Sequence, residues 1–549
     1  MKKFKSIIIC ILITISILFS GKAYSSESVP KIDELTYLII KNPDAQTMAL
    51  ASGAVDMLGD LTRPSDIELL SKHKNLKMSV APMSHAFFLL FNNKKAPFND
   101  KAIRQAISIV IPRSSIVRLI FSGYSMPLTS YLPPTSPWAI PQAGEATSQA
   151  KAEQIMKRGG YTKTLFGKWQ DKNKHTLPKI EILSPTASVA PTTEEIAKDI
   201  ADTLTAFGFD AYVTPIDFST MIARLDRRDY SASVLAWSMG RNPDSLYNFY
   251  HSECDTKGGY NMTSASSKEL DSALIHLRTA KDKEEATLYS TKAQKILCDL
   301  RPMVPIYSRM SVSCVSDKWK NIFSTKKTSA VNSYTYLFAE PKVHKRGEKK
   351  VLRTILPEEP RNLNPFVASS AYDWEILGLL YESLISSDPY TMEDIPWLAS
   401  SWKLTTDKRQ NTTTITFVID TSVRFSDGSH LTAQDVAATF EFLKKNKVPR
   451  FYDSVKDIAK ISVLANNKIA ITLNGISYWY LDKIGGMFVM PKKIIDSVST
   501  WQTWKPTFSQ LVGTGPFVIG KYKPGEFITM KKNPHYTRTK FPIKKEDLR

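Results

Sequence analysis

Residues able to do chemistry are thinly spread along this chain. Its eight histidines occur singly, none within a helical turn of another, so no pair is spaced to hold a metal or relay a proton. There is no Gly-x-Ser-x-Gly elbow, His-Glu-x-x-His pair, phosphate-binding loop or dinucleotide glycine fingerprint. Adjacent acids such as Glu284 and Glu285 read as a solvated helix face instead of a general acid and its partner. Cys254, Cys298 and Cys314 come without a Cys-x-x-Cys or a nearby histidine, which argues against metal ligation. Cys298 and Cys314 can pair if the chain turns back at Met303-Val-Pro305; three buried free thiols are the equal alternative. The expectation is therefore a protein that is no enzyme, with no cofactor and no metal.

The elements that carry these residues must be inferred next. A chain of 549 residues is long enough for three or four domains, or for two large lobes. Hydrophobic residues make up 42% and charged residues 23%, so a packed core is expected and wholesale disorder is not. The formal charge is +20, which raises nucleic acid, a membrane surface or an acidic ligand as partners.

Location narrows that choice. Met1-Lys-Lys-Phe-Lys5 is basic, Ser6–Phe19 is apolar and too short to span a bilayer, and Ala23-Tyr24-Ser25 offers small residues to a signal peptidase. A cleavable signal peptide over 1–25 is expected, with a mature charge of +16 once Lys2, Lys3, Lys5 and Lys22 are removed. Cys10 lies within the apolar run, so no lipid-anchoring cysteine is evident. The expected location is the periplasm, with no nucleic acid as partner, and the basic run Lys342–Lys350 reads as a solvated linker.

Periodicity gives an α/β class with mixed sheets. Ile32–Ile40, Phe87–Asn92 and Tyr230–Trp237 read as strands. Pro43–Ser52 and Asp100–Ile111 read as helices, and Ser267–Leu300 as two more. Ile180–Leu183, Glu194–Phe207 and Asp210–Val213 make a strand–helix–strand unit closed by Gly208. Farther on, Thr414–Ile419 and Ile469–Leu473 are strand-like around the helical Thr432–Phe442.

An ordered set of motifs then carries a resemblance. Leu363-Asn-Pro365, Leu379-Leu-Tyr-Glu-Ser-Leu384, Pro396-Trp-Leu-Ala-Ser-Ser-Trp402, Val423-Arg-Phe-Ser-Asp-Gly428, Leu431-Thr-Ala-Gln-Asp-Val436, Gly513-Thr-Gly-Pro-Phe517 and Asn533-Pro-His-Tyr536 resemble the first half of family 5 extracellular solute-binding proteins. These are the peptide- and nickel-binding components of ABC importers. Ala51-Ser-Gly-Ala-Val-Asp56, Phe91-Asn92, Pro97-Phe-Asn-Asp100, Arg104-Gln-Ala-Ile107 and Trp237-Ser-Met-Gly240 resemble the second half. The halves stand in exchanged order, and Asn533–Pro542 looks like text that should run straight into Val29–Tyr37. The order reads as a circular permutation, cheap where old ends are neighbours, with a chimera of two gene copies as the competing reading.

The resemblance implies a two-lobed periplasmic-binding-protein fold with a hinge between the lobes. Lobe one would comprise 26–88 and 351–549, with an extra domain at about 370–490. Lobe two would be 89–336, with 337–350 as linker and crossings near Phe88 and Val331. A monomer is implied that captures a peptide or other small-molecule ligand in the interlobe cleft and docks on the membrane permease subunits of the importer, touching the membrane only through them. Alternatives are a non-peptide solute (an anionic conjugate, metal chelate or oligosaccharide) or an exported chaperone or adhesive protein.

Cleft residues follow only where motifs match. On lobe two these are Trp237, Ser238, Met239, Gly240, Arg241 and Asn242. Peptide binders of the family carry an ammonium-capturing aspartate in this loop, whereas here no acid precedes Asp244, and Arg241 would instead favour a carboxylate. A core position for Trp237 and a solvent-facing one for Arg241 are the plain alternatives. On lobe one the matching residues are Ala368, Ser369 and Ser370, with Gly513 and Thr514 as a near-cleft turn.

Overall fold

The computed structural model describes residues 24–25, 28–61, 63–140, 147–187, 190–256, 259–368 and 370–548. The expected signal peptide lies outside the described residues apart from Tyr24–Ser25, and Ser369 lies outside them as well.

Alternation along Glu34–Ile39 buries Leu35, Tyr37 and Ile39 on one face, the period-2 pattern of a strand against a core. This strand is central in a four-stranded sheet. It runs parallel to Val351–Leu356, with Leu35 opposite Leu352, and antiparallel to Phe527–Lys532, with Leu35 opposite Met530. Phe517–Lys523 completes the sheet as a hairpin partner. Segments from early, middle and late in the chain thus share one sheet, and one core joins Ile32, Leu35 and Met57 to Leu352, Ile376, Phe417 and Met530. The same core covers one face of an antiparallel sheet made of Ala399–Asp407, Thr412–Ile419, Lys468–Asn474 and Ile458–Leu464. In Thr412–Ile419 only alternate residues are buried, as expected of a sheet with one solvated face.

A seven-stranded sheet runs from the first lobe into the other. Its order is Met57–Leu61, Met303–Ser316, Leu76–Phe91, Ala232–Ser238, Ile180–Pro185 and Ala211–Ile216, with Ser125–Pro127 paired to Met303–Ser316. The run Phe87–Phe91 is apolar throughout because both faces are covered. Phe87, Leu89 and Phe91 enter one core with helices Lys101–Val110 and Pro191–Phe207. Phe88 and Leu90 enter another with helices Lys268–Arg278 and Lys283–Leu300.

Two strands of 16 and 14 residues, Leu76–Phe91 and Met303–Ser316, run antiparallel between the lobes. Their pairing shifts register between Pro305 and Tyr307 and again between Ser308 and Met310. At that break the Ser308 hydroxyl donates to the carbonyls of Met83 (3.2 Å) and His85 (2.9 Å), so the extra residues of the bulges are tied down. The break in the ladder falls at Ser308–Met310, opposite residues 82–86. Val315, Trp319, Ala330 and Tyr336 pack in one core with Leu352 and Met530.

The same strand overturns the disulfide. The chain does not turn back at Met303-Val-Pro305. From Met303 the chain continues as a strand to Ser316, at roughly 3.3 Å per residue, which carries Cys314 far beyond the reach of a disulfide. Cys314 is buried beside Leu58 and Val312, while Cys298 packs in the separate core of Leu297 and Tyr250.

The first and last described strands meet. Tyr24 and Ser25 pair antiparallel with Phe541 and Lys540, and Phe541 packs with Val29 and Phe338. Residues 342–349 are exposed throughout. Among the described residues no helix is long and apolar enough to cross a membrane.

Candidate functional site

The strand Ala232–Ser238 delivers the candidate loop to the gap between the lobes. Trp237 lies opposite Ala86 and Ser238 opposite His85, and the Met239 amide donates to the Ser84 carbonyl at 3.1 Å. Trp237 is half-buried against Phe88 and Phe249, ring centroids 5.7 and 5.3 Å away. It belongs to the lobe-two core and lines neither cavity described below. Met239 is buried in that core too. Ser238 and Gly240 are exposed, and a Cβ at Gly240 would meet nothing within 4 Å.

Arg241 crosses the gap. Its Nη2 contacts the carboxylates of Asp394 and Asp482, the latter at 2.6 Å. Its Nη1 donates to Ser387 Oγ and to the Met392 carbonyl, both at 2.9 Å. All four partners are on lobe one. The Ser136 hydroxyl holds the Arg241 carbonyl from the lobe-two side. Burial alone would lower the arginine's pKa, but Asp394 and Asp482 more than offset it and raise it. Asp394 in turn has its carboxyl pushed above the usual range by burial and by Asp482, against the pull of Arg241. Arg241 is therefore neither a solvent-facing residue nor an open anion receptor, because two carboxylates already occupy its fork.

Two cavities flank this bridge. One, of about 830 Å³, lies on lobe one and is lined by Trp374, Gly378, Glu382, Arg450 and Phe488 among others. The second, of about 590 Å³, lies between the lobes and is walled by Trp138, Asn242, Lys283, Asp394 and Tyr478, with Arg241 at its edge. Met392 and Asp482 border both. The lobes also touch beyond the second cavity. Trp479, from lobe one, is buried in the lobe-two core and donates its indole N–H to the Leu277 carbonyl at 2.7 Å. Lys283 bridges to Glu393 at 2.7 Å.

Helix Ala371–Leu380 gives Trp374, Gly378 and Leu379 to the first cavity, while its Ala371, Tyr372 and Glu375 line a separate one. Ala368 and Ser370, from the expected lobe-one loop, stand at the start of this helix. Ala368 is buried in the core, and Ser370 is the N-cap, its hydroxyl accepting from the Asp373 amide at 3.0 Å in a capping box. Gly513 lets the following turn press onto the helix end, where a Cβ would sit 2.0 Å from the Leu380 carbonyl. Thr514 is buried beside the Glu382 carboxyl. Glu382 accepts from Trp397 Nε1 (2.9 Å) and from the Tyr536 hydroxyl (3.1 Å). Burial pushes its carboxyl up, against these bonds and the charge of Arg538.

Of the residues singled out in the sequence, Arg241 and Asn242 line ligand-sized space. Thr514 sits beside Glu382 and Gly513 against the Leu380 carbonyl, and Trp237, Met239 and Ala368 line neither cavity. Asp394, Asp482, Glu382 and the aromatic residues at 138, 374 and 478 were not foreseen. Asp482 and Tyr478 carry no local signal, since only folding brings them to residue 241. Among the described residues no group of three or more His, Cys, Asp or Glu is placed to hold a metal ion.

Comparison with known proteins bears on this architecture. Glutathione-binding protein GsiB of Salmonella typhi is 24% identical over 309 residues, 54% of this chain and 56% of that protein. GsiB of Escherichia coli K12 is 23% identical over the same length and shares. The chain spans about half the length of the curated relatives it matches. Among solved structures, the oligopeptide-binding protein AppA from Bacillus subtilis in complex with a nonapeptide superposes with a TM-score of 0.44 at 18% identity, over 55% of this chain and 59% of that one. A nickel ABC transporter from Bacillus halodurans gives 0.47 at 18% identity, over 55% and 60%. The model of the bacterial extracellular solute-binding proteins, family 5 middle, matches residues 21–259 and 393–546, well over half of the chain and parts of both lobes, so this chain belongs to the family 5 extracellular solute-binding proteins.

Proposed function

We propose that this protein is the exported solute-capturing subunit of an ABC importer, binding a peptide or peptide-like solute between its lobes and passing it to the membrane permease. The observation that carries this reading is the arrangement around Arg241: two lobes joined by a pair of long strands, with ligand-sized cavities on either side of one interlobe ion cluster. Hinged closure over such a gap is how a two-lobed receptor buries a ligand. The linings hold both signs of charge among aromatic walls, Glu382 and Asp482 with Arg450 and Lys483 in one, Asp394 and Glu393 with Lys283 in the other. That mixture suits a zwitterionic chain better than an anion. The acid missing from the 237–243 loop has a counterpart from the opposite lobe in Asp394 and Asp482. No enzymatic role is included.

The exchanged order of the two halves we read as a circular permutation. In support, the ends of the described chain pair at Tyr24 and Phe541, and the exposed stretch 342–349 runs between the two halves. Native mass spectrometry of the mature chain, followed by denaturation, tests the whole reading. A monomer releasing stoichiometric peptides, and contracting in small-angle scattering when peptide is restored, is the expected result. A swapped dimer or an aggregate with no ligand overturns it.

A further inference from the structure

The outer end of lobe two carries a feature that solute capture does not use. Thr162–Lys163 and Trp169–Gln170 form a short hairpin. Its turn is closed by a bond from the Thr164 amide to the Lys168 carbonyl (2.8 Å) and one from the Gly167 amide to the Thr164 carbonyl (3.0 Å). The Thr164 hydroxyl accepts further bonds from the Phe166 and Lys168 amides. The tip is thus well ordered, yet it holds Leu165 and Phe166 almost wholly in water, at 103% and 92% of full exposure. Just behind it, Trp169 is buried with Phe207 and Phe209 and donates its indole N–H to the Phe207 carbonyl at 3.0 Å. A rigid mount with two large apolar side chains at its summit is costly in water and calls for a partner.

Charge says which partner. Residues 157–179 hold seven Lys and Arg against one acid, Asp171. Lys163 and Lys168 flank the tip, the first paired with Glu153 and the second bonded to the Phe209 carbonyl. Behind them, Lys157 and Arg158 at the end of helix Gln149–Arg158 and Lys172 and Lys174 in the next turn are exposed. These four form no ion pair among the described residues. Lys174 Nζ reaches the Thr162 hydroxyl at 3.4 Å, and the Cβ of Lys172 lies beside Gly160, so the two turns and the helix end make one continuous basic edge. Apolar side chains leading and long cations following fit an anionic bilayer, where the rings and methyls enter the interface and the lysines stay at headgroup level.

The position suits this use. The strands Ile180–Pro185, Ala211–Ile216 and Ala232–Ser238 are parallel. The hairpin bonds to Gly208, before the start of the second, while Arg241 follows the end of the third. Membrane contact at one end of the lobe leaves the cleft at the other end open.

We propose that the Leu165–Phe166 hairpin and its basic edge dock the mature protein on an anionic lipid surface, independently of the permease. The test is co-sedimentation of the full mature chain with phosphatidylcholine vesicles, with and without phosphatidylglycerol, at low and high salt. Binding is expected only to the anionic vesicles and should weaken with salt. L165S/F166S should abolish it, and K172E/K174E should weaken it at least tenfold, since each surface cation is worth roughly fivefold. Neither pair touches the core, and unchanged melting temperatures check that both variants fold. Absence of wild-type binding, equal binding to neutral vesicles, or full binding by L165S/F166S overturns the proposal. Concentration-dependent self-association that L165S/F166S removes, without vesicle binding, assigns the tip to a second copy of this chain and overturns it equally.

Discussion

Arg241 illustrates what one side chain can be asked to do between two moving bodies. It serves two carboxylates and two neutral oxygens, none on its own lobe, so its removal leaves Asp394 and Asp482 facing each other with Lys283 as the remaining counter-charge to Asp394. Breaking a fully buried pair costs about 3–5 kcal/mol. These side chains keep 19–35% exposure, so solvent screens the effect and R241A is expected to cost roughly 1–2 kcal/mol. The distinguishing sign is shape. R241A should enlarge the radius of gyration in small-angle scattering of the ligand-free protein, and a further D394N change should recover part of the lost stability. Glu382 gives a prediction in pH. Its pKa is raised in the folded state, so the folded protein holds that proton where the unfolded chain has released it. Its stabilising contribution is complete below about pH 4.3, the unfolded value, and is lost as pH rises through the folded value. E382Q should flatten this part of the stability-versus-pH curve measured by urea denaturation. An unchanged slope would assign the pH dependence to Asp394 or another carboxyl.

At the scale of elements, the lobes are held by an insertion as well as by the two long strands. Residues Ser477–Trp479 lean from lobe one into the helix pair of lobe two: the Ser477 hydroxyl reaches the Arg278 carbonyl at 2.9 Å, and the Trp479 indole reaches that of Leu277. Trp138 meets Trp479 edge to face at 5.1 Å. W479A empties a pocket in a core that belongs mostly to the other lobe, and about 3–5 kcal/mol is the usual cost of such a deletion. The loss should appear as uncoupling of the lobes, with two separate calorimetric transitions replacing one. Helix Ala371–Leu380 makes a second case. At Gly513 any Cβ collides with the Leu380 carbonyl, so G513A must push the 511–516 turn off helix Ala371–Leu380. Ligand affinity is expected to fall with little change in lobe two, as read by calorimetry with the carried peptide.

For the whole molecule, chain order and spatial order part company. The strand Glu34–Ile39 lies between strands that begin at Val351 and Phe527, so the first lobe closes only when both ends of the chain have been made. A variant opened within the exposed 342–349 stretch, with residue 549 joined to Val29 by a short glycine-rich linker, is expected to fold to the same monomer and bind the same solute. Loss of folding would show that the present order is required, contrary to the permutation. Circular dichroism and ligand calorimetry on the reordered chain decide it.

Sequence alone determined the elements and the family. Alternation in Glu34–Ile39 and Thr412–Ile419, helical spacing in Lys101–Val110 and the left-handed glycine at Gly208 are local preferences, and local physics suffices to read them. The ordered motifs were legible for the same reason, since each is a short contiguous string. Three things were decided only by the tertiary structure. Met303–Ser316 runs on through both lobes instead of turning back, because its partner Leu76–Phe91 pairs with it on both sides of the break at 305–310; this separated the cysteines. Ser370 was absorbed by a helix cap and Trp237 by a core, roles set by neighbours far away in sequence. Arg241 acquired Asp394 and Asp482 from positions more than 150 residues off, and no spacing rule reaches that far, because a charge's partner is chosen by where two separately folded surfaces meet.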